Sequence, residues 1–294
     1  MSNATPPLPH RWDLVRPDRL GSLLDDVDAP GLGWLDELTE CGARVLARSG
    51  NGDLCFVGRS ADNLFDLLSG ALAGTSWQER PVRLPLSCTV PPGELSARER
   101  RRLREHLAAV GLEPRALARR SRPVTLVDLV WAGRTFTTLH TVLRGWVDET
   151  REPWPVVRLK LRYLGVTSRE RTSPKTYRWR QHRPWTRDLP AGSVSSISIH
   201  PWLWNVLGNA QAKTAPSFPP REWHQEGVTS PARRLDHRQA LAQAVALVAV
   251  GRTPAVRDRM VRTMAAEPAV DQPWLRSLMH ELRAAPGSQA RRQA

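Results

Sequence analysis

Short apolar runs alternate with longer amphipathic stretches through the first two thirds of this 294-residue chain. Each run has the length of a strand, and the stretches between them carry apolar residues at helical spacing. Such alternation predicts a parallel sheet covered by helices, which is an α/β fold. The fourth run alternates with polar residues, so we expect it to be less buried than the third. The predicted strands lie at 54–57, 80–90 ("RPVRLPLSCTV"), 124–130, 155–167 ("PVVRLKLRYLGVT") and 194–199.

Composition divides the chain into four regions. An N-terminal arm and helix (1–49) precede an α/β core (50–167), and the third region (168–230) is rich in Trp and Arg and holds the last predicted strand. The fourth region (231–294) is helical, with breaks near Pro254 and Pro268. Its Ala-rich stretch, "ALAQAVALVAV", predicts helix packing inside the chain or a contact in a homodimer.

The net charge of +14 is unusual because nearly all of the cationic side chains are arginine. A coding bias towards arginine explains this excess, and so does a polyanionic partner such as nucleic acid or a phosphorylated ligand. The three cysteines lack C-x-x-C spacing, so we expect neither a disulfide framework nor a zinc site. No apolar run reaches the about 18 residues of a membrane span, so we expect a cytoplasmic protein without a membrane partner.

Two strand-turn-helix corners carry polar glycine turns, "CFVGRSADNL" and "VTLVDLVWAGRTFTTL". In a parallel sheet both turns emerge at the carboxyl edge, where open α/β sheets bind ligands. Glycine lets backbone amides approach a phosphate, and the following helix adds partial positive charge. Arg59 and Arg134 can add charge-assisted contacts, and Asp128 suits a sugar diol or hydrated magnesium. The alternative is an ordinary corner in which Asp128 is only a turn residue.

The second corner resembles the phosphoribosyl-pyrophosphate signature of the type I phosphoribosyltransferases. In that signature an apolar strand ends in two acids, and a Thr/Ser-Gly-x-Thr loop holds the 5′-phosphate. Asp128 matches the second acid, and Gly133 and Thr135 match the glycine and threonine of the loop. "FVGRS" is similar to the family's pyrophosphate loop. The resemblance spans about residues 50–165 and implies these ligand-binding residues: Ala132, Gly133, Arg134 and Thr135 for phosphate, and Gly58, Arg59 and Ser60 for pyrophosphate.

The chain departs from the signature at two positions. Val127 stands where the family has its first acid, and Ala132 stands where Thr or Ser is usual. In the family the two acids hold the ribose hydroxyls, so a single acid implies a weaker hold on the sugar. The family's mobile loop corresponds to residues 89–96, which contain no Arg or Lys.

The resemblance implies a type I phosphoribosyltransferase-like fold with a Trp/Arg-rich hood and a helical C-terminal extension. The implied reaction transfers ribosyl-5-phosphate from phosphoribosyl pyrophosphate to a base or base-like acceptor, with Mg²⁺ as cofactor. Asp128 and Arg59 would be the catalytic residues, and Asp128 would contact the magnesium indirectly, through a bound water or the ribose. The hood would bind the acceptor base by stacking it on Trp179, Trp185, Trp202 or Trp204.

The Trp-rich segment has two other interpretations. Interleaved Arg and Trp, as in "RWRQHRPW", can bind single-stranded nucleic acid by stacking and phosphate neutralisation. The same residues can instead pack a loop-rich lobe while the arginines reach solvent. Three functional hypotheses therefore remain open: a divergent phosphoribosyltransferase, a non-catalytic sensor of a phosphoribosyl ligand, and a nucleic-acid-binding protein on the same scaffold.

Overall fold

A five-stranded, wholly parallel sheet forms the centre of the protein in a computed structural model, which describes residues 6–14, 17–172 and 178–285. The strand order is β2-β1-β3-β4-β5. The order reverses once, between β1 and β3, so these neighbouring strands continue into helices on opposite sides of the sheet. The strands are β1 (Asp53–Val57), β2 (Pro81–Leu84), β3 (Val124–Leu129), β4 (Leu161–Ser168) and β5 (Val194–Ile199).

Helices cover both faces of the sheet, which makes a three-layer α/β/α fold. One apolar cluster joins the sheet to α1, α2 and the C-terminal helices, and a second joins the opposite face to α3, α4 and α5. The α/β class predicted from the alternation is thus confirmed. The helices are α1 (Leu35–Arg48), α2 (Asp62–Ala71), α3 (Ala97–Ala109), α4 (Pro114–Arg119), α5 (Arg134–Thr150), α6 (Trp154–Val157), α7 (Pro201–Asn205), α8 (Leu235–Gly251), α9 (Pro254–Ala265) and α10 (Pro273–Ala284).

The fourth strand differs from its prediction in length and in burial. Residues 154–157 form the short helix α6, because Pro155 occupies the first turn of a helix there, and β4 begins only at Leu161. The expectation of a less buried strand was wrong, since every residue of β4 except Arg162 is buried. Its position between β3 and β5, with helices on both faces, explains that burial.

The fifth strand belongs to the same sheet as the core. β5 pairs in parallel with β4 from Tyr163↔Val194 to Ser168↔Ile199. The predicted boundary at residue 167 therefore separates two strands that are hydrogen-bonded to each other. The Trp-rich region thus contributes a strand to the central sheet. The sequence places this strand at the correct residues, but pairing partners are not encoded locally.

The Ala-rich stretch of α8 packs against α2 inside the chain. Two glycines permit the close approach: a Cβ on Gly70 would lie 2.1 Å from the carbonyl oxygen of Val248, and one on Gly251 would lie 2.4 Å from that of Leu67. Because the obstructing atoms are backbone, the helices would have to separate to admit a methyl group. This contact fastens the C-terminal extension to the core.

Replacing Gly70 by alanine is expected to destabilise the protein by about 1–3 kcal/mol, the usual cost of overpacking. Gly145→Ala is the matched control, because Gly145 lies in α5 and a Cβ there would meet nothing within 4 Å. That control should gain roughly 0.5–1 kcal/mol of helix propensity. Guanidinium unfolding followed by tryptophan fluorescence measures both; equal stabilities would contradict the close α2–α8 packing.

The structure bears on the expectations about disulfides and about membrane-spanning segments. Cys41, Cys55 and Cys88 are all buried, and none forms a disulfide. Within the described ranges, no helix has the length and apolar character needed to cross a bilayer.

Candidate functional site

The two predicted glycine loops meet at the carboxyl edge, where the strand order reverses. Gly58 follows β1 and Asp128 is the penultimate residue of the adjacent β3. A Cβ on Gly58 would lie 3.9 Å from a carboxylate oxygen of Asp128, so the first loop passes directly over the acid. Gly58 adopts a positive φ of 71°, which glycine tolerates best. The crevice at such a reversal is the usual ligand site of open α/β sheets.

Asp128 is buried at this point, with 7% of its surface exposed. Its carboxyl group accepts hydrogen bonds from the backbone N–H of Leu129 and from the hydroxyl of Thr135. Burial nevertheless dominates and raises the pKa of Asp128 well above its ordinary value. The same carboxyl contributes to the raised pKa of the nearby Cys88 thiol, although burial is the larger cause. A carboxyl held in its neutral form can donate a hydrogen bond as well as accept one.

The second loop forms the entry to α5. Gly133 is the N-cap residue in the left-handed conformation (φ 72°, ψ 22°), and no side chain caps the helix. The first N–H groups of a helix have no intrahelical acceptor, and the first turn of α5 contains no acid. This 17-residue helix therefore directs partial positive charge towards the edge beside Asp128. Ala132 contributes its carbonyl oxygen, which accepts a 2.8 Å bond from Nε of Arg183.

The first loop is tied to a segment far away in sequence. Nη1 of Arg59 donates to the carbonyl oxygen of Ala215 at 2.9 Å, and Asn63 donates to the side chain of Gln211. Ser60 lies in the turn between β1 and α2. Arg59 is thus held at the edge of the sheet with one of its donors used by the protein. Burial lowers its pKa, but arginine remains charged.

Lys213 also lies beside this loop, and sequence reasoning missed it. Its Nζ donates to the carbonyl oxygen of Leu207 at 2.5 Å, and burial lowers its pKa to about 8. Its charge interacts with Asp62 and Arg59. No local pattern marks Lys213, because about 150 residues separate it from the loop it approaches. Lys213 supplies a cation near a site whose predicted mobile loop has none.

A buried ion-pair cluster supports the start of α2. Arg83 binds one oxygen of Asp62 at 2.6 Å, and Arg11 pairs with Asp66. The second carboxylate oxygen of each acid is buried without a hydrogen-bond partner among the described residues. These contacts hold α2 in place. Because the first loop leads directly into α2, the cluster also helps to position that loop.

The four predicted stacking tryptophans separate into two groups. Trp179 is buried at 3% exposure, where it donates to Ser196 Oγ and packs against Gly133. Trp185 donates to Thr137 and stacks on His140 with ring centroids 4.5 Å apart. Both indoles therefore support the second loop from within the protein.

The other two lie after β5, at the carboxyl edge. Trp202 is 53% exposed, and Trp204 donates to the carbonyl oxygen of Val166. The ring centroids of Trp204 and Trp131 lie 5.4 Å apart. Trp131 is 52% exposed and comes directly before the second loop. Sequence reasoning missed Trp131, although its place between Asp128 and Gly133 was a usable signal. Trp131 and Trp202 are therefore the two of these tryptophans that expose most of their rings.

Among the residues that the structure describes, no group of three His, Cys, Asp or Glu side chains is placed to hold a metal ion. Magnesium is usually bound through one or two carboxylates together with substrate phosphates and water, so Asp128 without a phosphorylated ligand does not complete a magnesium site.

Comparisons with protein-family models, with curated proteins and with solved structures found no match to this chain. The fold and the site define an α/β protein with a five-stranded parallel sheet, in which two glycine loops converge on a buried acid at the carboxyl edge.

Proposed function

We propose that the carboxyl edge binds a phosphorylated ribose and that the chain is a divergent phosphoribosyltransferase. The convergence of the Gly58 loop and the 132–135 loop on Asp128 carries this proposal. The N-terminal amides of α5 suit the 5′-phosphate, and Asp128 suits a ribose hydroxyl. Arg59 and Lys213 provide positive charge at the first loop, where a pyrophosphate group would lie.

The reaction breaks the bond between ribose C1 and the pyrophosphate oxygen and forms a bond from C1 to a nitrogen of the acceptor. Positive charge develops on the sugar while the pyrophosphate takes both electrons of the broken bond. Arg59 and Lys213 would stabilise that leaving group, and magnesium would arrive bound to the pyrophosphate as part of the substrate. The exposed rings of Trp131 and Trp202 would stack on a flat acceptor.

Calorimetry with phosphoribosyl pyrophosphate and Mg²⁺ tests the binding step. We expect magnesium-dependent, saturable binding that weakens about tenfold or more in Lys213→Met, because a charge-assisted contact is lost. Lys160→Met is the matched control, since Lys160 lies next to the start of β4 at the opposite edge of the sheet. Absence of binding at millimolar ligand would rule out both the transferase and the sensor.

Release of pyrophosphate in the presence of a panel of bases separates a transferase from a sensor. A transferase releases pyrophosphate with at least one base, whereas a sensor binds the ligand without turnover. Binding without release across the panel would contradict the transferase and leave the sensor as the function.

The second candidate is single-stranded nucleic-acid binding, which the net charge of +14 and the exposed Trp131 and Trp202 favour. An oligonucleotide should then bind with a steep salt dependence that Asp128→Asn leaves unchanged. A flat salt dependence would exclude this candidate.

A further inference from the structure

A cavity lies at the amino edge of the sheet, on the side opposite the candidate site. Its volume is about 520 Å³, which is enough for a small organic molecule. The end of α1, the starts of β4 and β5, and the turn before α10 surround it. Its lining includes Arg48, Arg162, Glu267, Ala269 and Trp274.

The charges that line this cavity do not balance. Glu267 binds Arg48 through two hydrogen bonds of 2.8 and 3.0 Å, and Arg44 approaches the same carboxylate at 3.8 Å. Arg162 has no carboxylate within ion-pair distance among the described residues. The cavity therefore has an excess of positive charge, and desolvation at Arg162 lowers its pKa without a neighbouring acid to offset it.

The guanidinium of Arg162 is oriented by the backbone around it. Its Nη2 donates to the carbonyl oxygen of Gly192 at 3.0 Å, and the backbone of Gly50 lies against the group. A Cβ on Gly50 would lie 2.9 Å from Cζ of Arg162, so a side chain at that position would displace the guanidinium. The remaining N–H donors of Arg162 can bind a carboxylate or phosphate.

Ser195 and Gln272 add polar side chains to the lining, and another part of the wall is apolar. Ala269 and the ring of Trp274 form it, and Trp274 is itself supported by Trp77, with ring centroids 5.7 Å apart and planes inclined by 26°. The start of α10 is also part of the lining. That 12-residue helix has no acid in its first turn and no side-chain cap. Its partial positive charge adds to that of Arg162.

We propose that this cavity is a second ligand site, which binds a small organic anion with a flat apolar part. Arg162 binds the carboxylate or phosphate group, and the wall of Ala269 and Trp274 contacts the flat part. The site stands on the other edge of the sheet, so its occupant does not compete with a ligand at Asp128. The inference does not depend on the proposed transferase function.

Calorimetry on the full chain tests the site with three probes: inorganic phosphate, adenosine monophosphate and benzoate. We expect saturable binding of at least one organic anion, tighter than that of inorganic phosphate. Arg162→Gln should weaken it about tenfold or more, through loss of a charge-assisted pair. Arg115→Gln, which removes an exposed positive charge from α4, should have no effect.

Two further variants keep the result unambiguous. Ala269→Phe fills the cavity without a change of charge and should also abolish binding, whereas Asp128→Asn should leave this binding intact. Binding that is lost in Asp128→Asn and retained in Arg162→Gln would place the ligand at the carboxyl edge and overturn the proposal. Failure of all three probes to bind at millimolar concentration, or equal binding by the wild type and Arg162→Gln, would overturn it as well.

Discussion

Val127→Asp is expected to destabilise the protein by about 4 kcal/mol or more, because it places an unpaired carboxyl in the apolar core. Val127 is fully buried in the cluster that joins the sheet to α1 and α2, and it pairs with Phe56 of β1. Its neighbours in β3, Leu126 and Asp128, lie on the other face. The type I phosphoribosyltransferases, whose signature this sequence resembles, have an acid at this position. In this chain it is an apolar core position.

Val127→Thr is the matched control, because threonine has the shape of valine and a neutral polar group. It should cost about 1–3 kcal/mol, clearly less than the aspartate. Chemical unfolding measures both variants. An aspartate variant as stable as the threonine variant, with tighter binding of phosphoribosyl pyrophosphate, would show that residue 127 reaches the ligand and would contradict its assignment to the core.

Asp128→Asn is expected to stabilise the free protein at neutral pH while it weakens ligand binding about tenfold or more. The folded state raises the pKa of Asp128, so it retains a proton that the unfolded chain has released. Stability therefore falls as the pH rises above the ordinary carboxyl pKa of 3.8 and continues to fall until the raised value is passed. Asparagine resembles the neutral acid and removes this loss, but it cannot ionise or donate a hydroxyl hydrogen to a sugar.

Thermal unfolding from acidic to neutral pH measures the first effect, and calorimetry with phosphoribosyl pyrophosphate measures the second. Asp148→Asn is the control, because that acid lies on exposed α5 surface and pairs only with Arg144 among the described residues. Lower stability of Asp128→Asn at neutral pH would mean that the carboxyl is ionised in the folded protein. Opposite changes in stability and in binding are the usual result at a functional site, where a buried polar group is kept at a cost.

Several elements could be predicted because their signals are local. The strand at 194–199 has the predicted bounds. This strand and the two glycine corners depend on residues within a few positions of each other. The start of β4 could not be predicted, because Val156 and Val157 suit a strand equally well and only Pro155 favours the short helix.

The two loops of the candidate site could be predicted from the sequence. The residues that reach the site from distant parts of the chain could not. Asp128 and Gly133 follow from the pattern of a strand, a turn and a helix, and Trp131 lies within the same stretch, whereas Lys213 does not follow from any motif. Lys213 reaches the site only because the segment after β5 returns across the first loop, where Gln211 binds Asn63. Trp179 and Trp202 cannot be distinguished by sequence, since burial depends on how the segment around each residue packs against the rest of the chain.

The sequence alone determined that this chain is an α/β protein, because alternating strand and helix periods leave few other arrangements. It also determined where the glycine turns lie, since such turns depend on a few adjacent residues. Only the tertiary structure decided that the two turns meet over Asp128, that Val127 faces the core, and that Arg162 lines a cavity at the other edge, with no described carboxylate at ion-pair distance from it. Strand order and burial decide these features, and both arise from contacts between residues that are far apart along the chain.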